Sequence, residues 1–373
     1  MPRKREPKSK AEFRRAALKA AEAHPAPKRR GFEQFLIEEM SSDRGPYSFE
    51  GHEALRQIAG DLSRVVERGI PDVRIDVLKG EQIGMTTLAV CFAVWGAVER
   101  GLSTAYFLPT TTATRTFDQT KVARPIRRSR YVRERMRMED DGPKGTDRIG
   151  LREFFGDDGD SRYFYTVGLK ADVNAVMISI DCALDDEVDL IPEENLEWSE
   201  GRMAHSPLKL RLGLSAGRSP GEGIDARFQR GCQYHRHLRC PACRADFIPE
   251  DEFPECVHGA EGNYWLGCVK CGRELDPDAH GLWVPHYPGR REEGLISYRL
   301  SQLAVPAMSL KTIMERHARA QRKASQLAKF NCAVLARPDA GSLEPITEDV
   351  LDRATGSHVM ARLPCAGPRP AAP

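Results

Sequence analysis

The chain has 373 residues, 40% of them hydrophobic and 29% charged, with a formal net charge of only +2. That length admits two domains, or one large domain carrying an insertion, and the composition fits a soluble globular fold. No run of eighteen apolar residues occurs, which excludes an apolar membrane-spanning helix, and the N-terminal charges lack the apolar core of a secretory signal.

The balanced total hides an uneven distribution. Residues 1–30 carry eleven Lys/Arg against three acids, and Lys121–Arg137 carries eight basic residues against Glu134 alone. Asp181–Glu200 holds nine acids and no Lys or Arg. This arrangement suits a protein that meets a polyanion and holds a metal, although a solvated tail and a charged helix face would give the same counts. Ten cysteines without a secretion signal point to a reducing compartment, the cytoplasm, and favour metal binding over disulfides.

In chain order, residues 1–30 read as a basic arm with helical tendency, ended by Pro25 and Pro27. Gly31–Met40 predicts a short helix, and His52–Arg68 carries Leu55, Ile58, Leu62, Val65 and Val66 at helical spacing. Val73–Leu78 predicts a strand, Thr86–Arg100 a strongly apolar helix, and Thr104–Leu108 a second strand. Phe117–Met138 reads as a basic helical region interrupted at Pro125, and Glu139–Asp160 as a Gly/Asp-rich loop. Further strands are expected at Tyr163–Gly168, Ile178–Leu184 and Lys209–Leu214. Strands alternating with helices predict an α/β fold with a mostly parallel sheet and helices on both faces. From Cys240 to about Pro288 the composition shifts to Cys, Pro, Gly and aromatics, as in a small metal-stapled module. Leu295–Leu303 predicts a strand, Leu310–Phe330 an amphipathic helix, and the prolines beyond it a tail. The expected domains are therefore 1–30, 31–235, 236–290, 291–335 (packing back on the second) and 336–373.

Between the first strand and the apolar helix lies Lys79-Gly80-Glu81-Gln82-Ile83-Gly84-Met85-Thr86-Thr87. Strand, glycine turn and helix N-terminus form the layout of a phosphate-binding loop, because the first helical N–H groups point at an anion. Met85 stands where the usual form has lysine, and Lys79 is the nearby ammonium that can reach the phosphates from the loop's other end. Glycine turns before helices are common, so the loop by itself leaves a plain turn open. Downstream, an apolar strand runs into Asp186-Glu187-Val188-Asp189. A strand ending in Asp-Glu supplies the second half of a nucleotide-hydrolysing site, with Asp186 helping to hold Mg²⁺ and Glu187 activating the attacking water. An acidic loop solvating a sheet edge is the plain alternative. Ser215-Ala216-Gly217 ends the next strand, where a small hydroxyl residue can sense the γ-phosphate or merely make a turn. Arg202, between the two, is a candidate arginine finger or a surface salt-bridge partner.

Cys240-Pro-Ala-Cys243 and Cys268-Val-Lys-Cys271 are separated by twenty-four residues. Two such knuckles aim four thiolates at one tetrahedral Zn²⁺, a closed and therefore structural site worth on the order of 10 kcal/mol to its module. Gly272 fits the left-handed turn that such a knuckle needs. Cys256 and His258 lie between the knuckles as competing ligands.

Taken in order, Lys79, Gln82, Gly84 to Thr86, Tyr106 to Thr110, Asp186 to Asp189, Ser215 to Gly217 and Cys240-Pro-Ala-Cys243 resemble one family. It is the large terminase subunit of tailed bacteriophages, in its lambda-like branch, and the resemblance runs from about Gly31 to Leu335, including Lys329-Phe330-Asn331. It implies a P-loop ATPase with a zinc ribbon that drives double-stranded DNA into a capsid using ATP and Mg²⁺. Lys79 would match the family's displaced loop lysine, Thr86 would touch Mg²⁺, Asp186 would be the Mg²⁺-site acid and Glu187 the catalytic carboxylate. Gly80, Gln82, Gly84, Met85 and Thr87 complete the implied nucleotide loop, and Ser215-Ala216-Gly217 the coupling motif, which in the family more often reads Ser-Thr-Pro. The implied partners are DNA, a small terminase subunit, the capsid portal and further copies of the chain, in the host cytoplasm and away from membranes. Family members continue into an RNase H-like nuclease domain. The chain stops about forty residues after Asn331, so the expectation is an ATPase portion without the nuclease. A helicase-like DNA-dependent ATPase and a non-catalytic zinc-ribbon DNA-binding or scaffold remnant of a prophage are the rival expectations.

Overall fold

The structure, a computed structural model, describes residues 29–341 apart from 43–44, 137–144, 157–159, 171–176 and 261. The expected basic arm up to residue 28 and the expected tail beyond residue 341 lie outside the described residues. The chain begins with α1 (Phe32–Glu39) and α2 (Ala54–Arg68), then β1 (Arg74–Lys79), α3 (Met85–Arg100) and β2 (Thr104–Leu108). Next come α4 (Thr111–Phe117), α5 (Ala123–Arg128), α6 (Arg130–Glu134), β3 (Leu151–Phe155), β4 (Ser161–Gly168) and β5 (Cys182–Asp186). These are followed by α7 (Glu193–Glu200), β6 (Leu210–Ser215), α8 (Gly223–Arg230), β7 (Tyr234–Arg239) and β8 (Asp246–Phe247). The remainder comprises β9 (Val257–Ala260), β10 (Asn263–Leu266), β11 (Gly281–Pro285), β12 (Leu295–Leu300), α9 (Leu310–Ala320) and α10 (Ala324–Leu335).

Among the described residues eleven strands form the main sheet, ten of those named above and the two-residue strand Asp147–Arg148 beside β3. Its centre is parallel and runs β7-β12-β1-β6-β5-β2-β4 in space. Antiparallel strands close both ends, β3 on β4 and β8 and β11 on β7. Strand periodicity divides the side chains between two cores. Ile75 and Val77 of β1, Tyr106 and Leu108 of β2, Cys182 and Leu184 of β5, and three leucines of β6 pack with α1, α2 and α3. The residues between them, Leu78, Ala105, Phe107 and Ala183, pack on the other face with Leu196 of α7 and Ile224 and Phe228 of α8. Helices therefore cover both faces of a largely parallel sheet, as its two-sided hydrophobicity requires. Helix α3 is buried continuously from Leu88 to Glu99, the pattern of a helix enclosed on every side. It stops at Gly101, which takes the left-handed conformation with φ 68°.

Local structure departs from the sequence expectations in five places. Part of the expected loop Glu139–Asp160 is β3, which adds an edge to β4. Pro125 does not break its region: the helical run continues from Thr111 to Arg128, with a π-helical turn over Asp118–Val122 just before the proline, where the hydrogen-bond pattern is already shifted. The break falls at Ser129, whose hydroxyl accepts from Val132 N at 3.1 Å and starts α6. The strand expected over Ile178–Leu184 begins only at Cys182 and runs on to Asp186. The single helix expected over Leu310–Phe330 is α9 and α10, folded back on each other at Gln321–Lys323 so that Ile313 and Phe330 reach the same core. Finally, β7 and β11 extend the main sheet, so the expected boundary at 235/236 crosses β7, and the knuckles grow from the sheet edge.

The face of the sheet that carries α8 also holds a buried charge network. Arg211 Nε lies 2.6 Å from Asp185 Oδ2, and Arg227 Nη1 lies 3.7 Å from Asp185 and 3.8 Å from Asp76. Burial raises the pKa of Asp76, against the pull of Arg227 and Arg211. Gly213 on β6 makes room for this network, since a Cβ there would overlap Asp76 Oδ1. Gly213→Ala should therefore lower stability by about 1–3 kcal/mol, the usual penalty for overpacking, measured by urea unfolding. An unchanged midpoint would mean that Asp76 is free to move.

Candidate functional site

The turn after β1 is shaped by two glycines with different tasks. Gly84 has φ 89°, the left-handed twist that releases α3 at Met85. Gly80 is required by space, because a Cβ there would sit 3.2 Å from the carbonyl oxygens of Ala333 and Val334. The first N–H groups of α3 have no intrahelical acceptor and face the turn, so the loop can cradle an anion.

Strand parity brings the acids to it. Asp186 follows Cys182 and Leu184 at two-residue steps and so shares the face of α3, whereas Asp185 turns to Arg211 on the other face. Thr86 Oγ1 donates to Asp186 Oδ2 at 3.0 Å, and the Tyr106 hydroxyl donates to the same oxygen at 2.7 Å. Glu187 leaves the strand in the left-handed conformation with φ 59°, and its N–H donates to Asp186 Oδ1 at 3.1 Å. Lys79, the last residue of β1, brings its Nζ to 3.3 Å from Glu187 Oε1 and 3.6 Å from Asp186 Oδ1. Burial disfavours the ammonium, but Asp186 and Glu187 outweigh it and hold its pKa above the ordinary lysine value. Burial, and then Asp186, push the Tyr106 phenol well up, so it stays an O–H donor.

A cleft of about 700 Å³ opens at this place, lined by Lys79, residues 80–87 and Glu187 together with His52, Phe117 and Lys121. It lies at the carboxyl ends of the parallel strands, where α/β sheets bind ligands. Thus Lys79, Gly80, Gln82, Gly84, Met85, Thr86, Thr87 and Glu187 line one cavity, and Asp186 is buried next to it, hydrogen-bonded to the lining Thr86. Ser215 is buried in register with Leu78, so Ser215-Ala216-Gly217 leaves the sheet at the same edge, between the lysine strand and the acidic strand. Arg202 is not brought to the cleft. Its carbonyl accepts from Ile180 N at 3.1 Å, at the end of β5 opposite Asp186. A finger role at this chain's own cleft therefore does not fit its position.

Sequence reasoning passed over Tyr106, His52, Phe117 and Lys121 as site residues, and gave Asp189 no role. Asp189 Oδ2 accepts from Arg218 N at 2.7 Å and its Oδ1 from Ile224 N at 2.9 Å, so it ties the turn after Glu187 to the loop after β6. Its only signal in the sequence is its place two residues beyond Glu187, within a run of acids.

The sulfurs of Cys240, Cys243, Cys268 and Cys271 lie within 4.8 Å of one another. Both knuckles close the same way, with Arg244 N donating to Cys240 O at 2.9 Å and Gly272 N to Cys268 O at 2.8 Å. Both closing residues are left-handed, Gly272 at φ 72° and Arg244 at φ 61°. Backbone hydrogen bonding at Cys243 and Ala242 brings the Cys240 thiol down to about 6, whereas, against backbone hydrogen bonding at Ala245, burial and hydrogen bonding to Cys268 and Cys271 push the neighbouring Cys243 thiol up. Cys256 and His258 are not part of the cluster, and Cys256 Sγ instead donates to Pro249 O at 3.2 Å.

A scan against protein-family models finds no match, and a search of curated proteins finds none. Solved structures to which the chain is similar include phage large terminases and a large terminase ATPase domain. The ATPase domain of the Thermus phage P74-26 large terminase aligns at 14% identity and TM-score 0.46, over 80% of this chain and 98% of that one. The large terminase of another, thermophilic bacteriophage aligns at 18% identity and TM-score 0.35, over 45% of this chain and 41% of that one. A structure of the latter in complex with ADP aligns with TM-score 0.32, at 18% identity over 43% of this chain and 37% of that one.

Tyr106→Phe removes a buried donor from a carboxylate while keeping the ring. It should lower stability by about 1.5–3 kcal/mol, the range for hydrogen bonds to charged groups, seen as an earlier midpoint in denaturant. A midpoint equal to wild type would show that Asp186 finds another donor.

Proposed function

We propose that this chain is a large-terminase-type ATPase that hydrolyses ATP with Mg²⁺ and uses the energy to translocate double-stranded viral DNA. The observation that carries this reading is the meeting of the Lys79 ammonium with both carboxylates, 3.3 and 3.6 Å away, beside a glycine loop and a cavity of about 700 Å³. In the resting site Lys79 neutralises Asp186 and Glu187. An entering triphosphate takes over that ammonium and the loop N–H groups. The oxygens of Thr86 and Asp186, 3.0 Å apart, are a donor set that suits a hard divalent cation. Bound there, magnesium would neutralise charge on the phosphates. Glu187, released from Lys79, orients water for in-line attack and accepts its proton. Asp189 then offers a path from the acidic turn to Ser215-Ala216-Gly217, the coupling segment of this reading.

The four-sulfur cluster suits a structural zinc, since four thiolates leave no open position. Exposed Arg124, Arg127, Arg128, Arg130 and Arg133 suit DNA phosphates, which such side chains contact without reading bases. A small terminase subunit, the capsid portal and further copies of the chain in the host cytoplasm are the partners this role requires. Among the described residues no helix is long and apolar enough to cross a membrane.

Glu187→Gln should cut ATP turnover by at least about 100-fold, the scale of lost general-base catalysis, while leaving nucleotide binding intact. Atomic absorption should find one zinc per chain, and less in Cys271→Ser. A wild-type chain that binds DNA tightly but turns over no ATP at any DNA concentration would instead favour a non-catalytic zinc-ribbon scaffold.

A further inference from the structure

The phosphate loop is not held by β1 and α3 alone. Gly80 N donates to Leu300 O at 2.8 Å, Glu81 N to Ala333 O at 2.7 Å, and Gln302 Nε2 to Glu81 O at 2.8 Å. Gln302 is buried, and a Cβ on Gly80 would lie 3.2 Å from Gln302 Cγ as well as from two carbonyls at the end of α10. The end of β12, Gln302 and the last turn of α10 thus form a clamp on the two residues that open the turn.

That clamp is backed by the cysteine-bearing segment. Phe330, Val334 and Leu335 of α10 share a core with Cys240, Cys256 and Cys268, and with Phe253, whose ring centroid lies 5.6 Å from that of Phe330. Glu250, fully buried between the knuckles, accepts from Ser301 Oγ at 3.0 Å, and its carbonyl accepts from Arg337 Nη1 at 3.3 Å. These partners flank Gln302 and Ala333 in the chain. The segment's regular structure is a hairpin, β9 and β10, the two-residue β8 on the sheet edge, and two short knuckle turns. With so little regular structure of its own, the segment would draw order from a metal on its four sulfurs as well as from its packing on α10.

We propose that the cysteine knuckles set the geometry of the phosphate loop through α9 and α10, with Gln302 as the positioning residue at the joint. This rests on the reading of the loop as a nucleotide site. With the metal in place, α10 presses the Ala333 carbonyl and Gln302 onto Glu81, and the following N–H groups converge on one point. With the metal removed, the core behind Phe330 and Val334 loosens, the clamp relaxes, and the loop's donors diverge. The metal acts on affinity and touches no nucleotide.

The test uses the full chain and a fluorescent ADP probe with Mg²⁺, titrated before and after zinc is stripped by a thiol reagent and chelator. Stripping should weaken ADP binding on the order of tenfold, a usual size for coupling between sites, and excess dithiothreitol to free the sulfurs followed by Zn²⁺ should restore it. Gln302→Met keeps the bulk at the joint and removes the donor. It should weaken ADP binding similarly with zinc still bound and a somewhat earlier melting midpoint, whereas a merely structural role would move the midpoint and leave ADP affinity as in the wild type. Unchanged ADP affinity in the stripped chain, or in Gln302→Met, overturns the proposal. A zinc-loaded wild-type chain that binds no ADP overturns the nucleotide reading itself, and this inference with it.

Discussion

A lysine buried at the end of a strand must find negative charge or lose its proton, and Lys79 finds two carboxylates. The rest of the candidate site follows from that pairing. Asp186 ends β5 and Glu187 follows it, Lys79 ends β1, and β6 lies between the two strands, so the contact closes over the end of an intervening strand. It can form only if three strands are parallel and in one register. A slip of one residue in β5 would put Asp185 under α3 and Asp186 beside Arg211, leaving each charge with the wrong partner. Asp185 and Arg211 fix the register from one face, while Asp186, Thr86 and Tyr106 fix it from the other. Breaking either buried arrangement on one side would strand an uncompensated charge, which is far worse than lacking the pair altogether.

How much of this is legible in the sequence differs by residue. Lys79, Asp186 and Glu187 stand out because they end apolar strands, and a charge at the end of an apolar run must emerge at the sheet edge. The order of the strands is not legible in the same way, since nothing local says that β6 lies between β1 and β5. Tyr106 is hidden because an aromatic within Thr104–Leu108 reads as core, and its ring is indeed core while its hydroxyl reaches Asp186. Asp189 is hidden by its acidic neighbours. Gln302 is hidden because its partner, the carbonyl of Glu81, lies more than two hundred residues away and belongs to the backbone.

In the cysteine region, composition marks the module but not how it is joined to the rest. Cys, Pro and Gly between Cys240 and Pro288 suggest a small metal-stapled module. Yet β7 pairs with β12 in the parallel sheet, β11 pairs with β7, and the side chains behind the knuckles pack on α9 and α10. The turn at Gln321–Lys323 belongs to the same arrangement. A single straight helix could not place both Ile313 and Phe330 in the core behind the knuckles, and the fold-back brings the end of α10 to the phosphate loop.

Why the ammonium comes from Lys79 rather than from position 85 is then a question of packing. Met85 is the first residue of α3 and is buried in the core between that helix and the sheet. A lysine there would have to leave that core to reach an anion. Lys79 has no such conflict. It follows Ile75 and Val77 at two-residue steps, so strand parity alone aims it to the face of the sheet that carries α3, Tyr106 and Asp186. A side chain at the end of a strand, pinned by its neighbours on both sides, also loses less freedom on meeting its partner than one on a mobile turn. The apolar helix start and the lysine at the strand end are therefore one solution. The methionine anchors the helix that carries Thr86, and the strand supplies the charge.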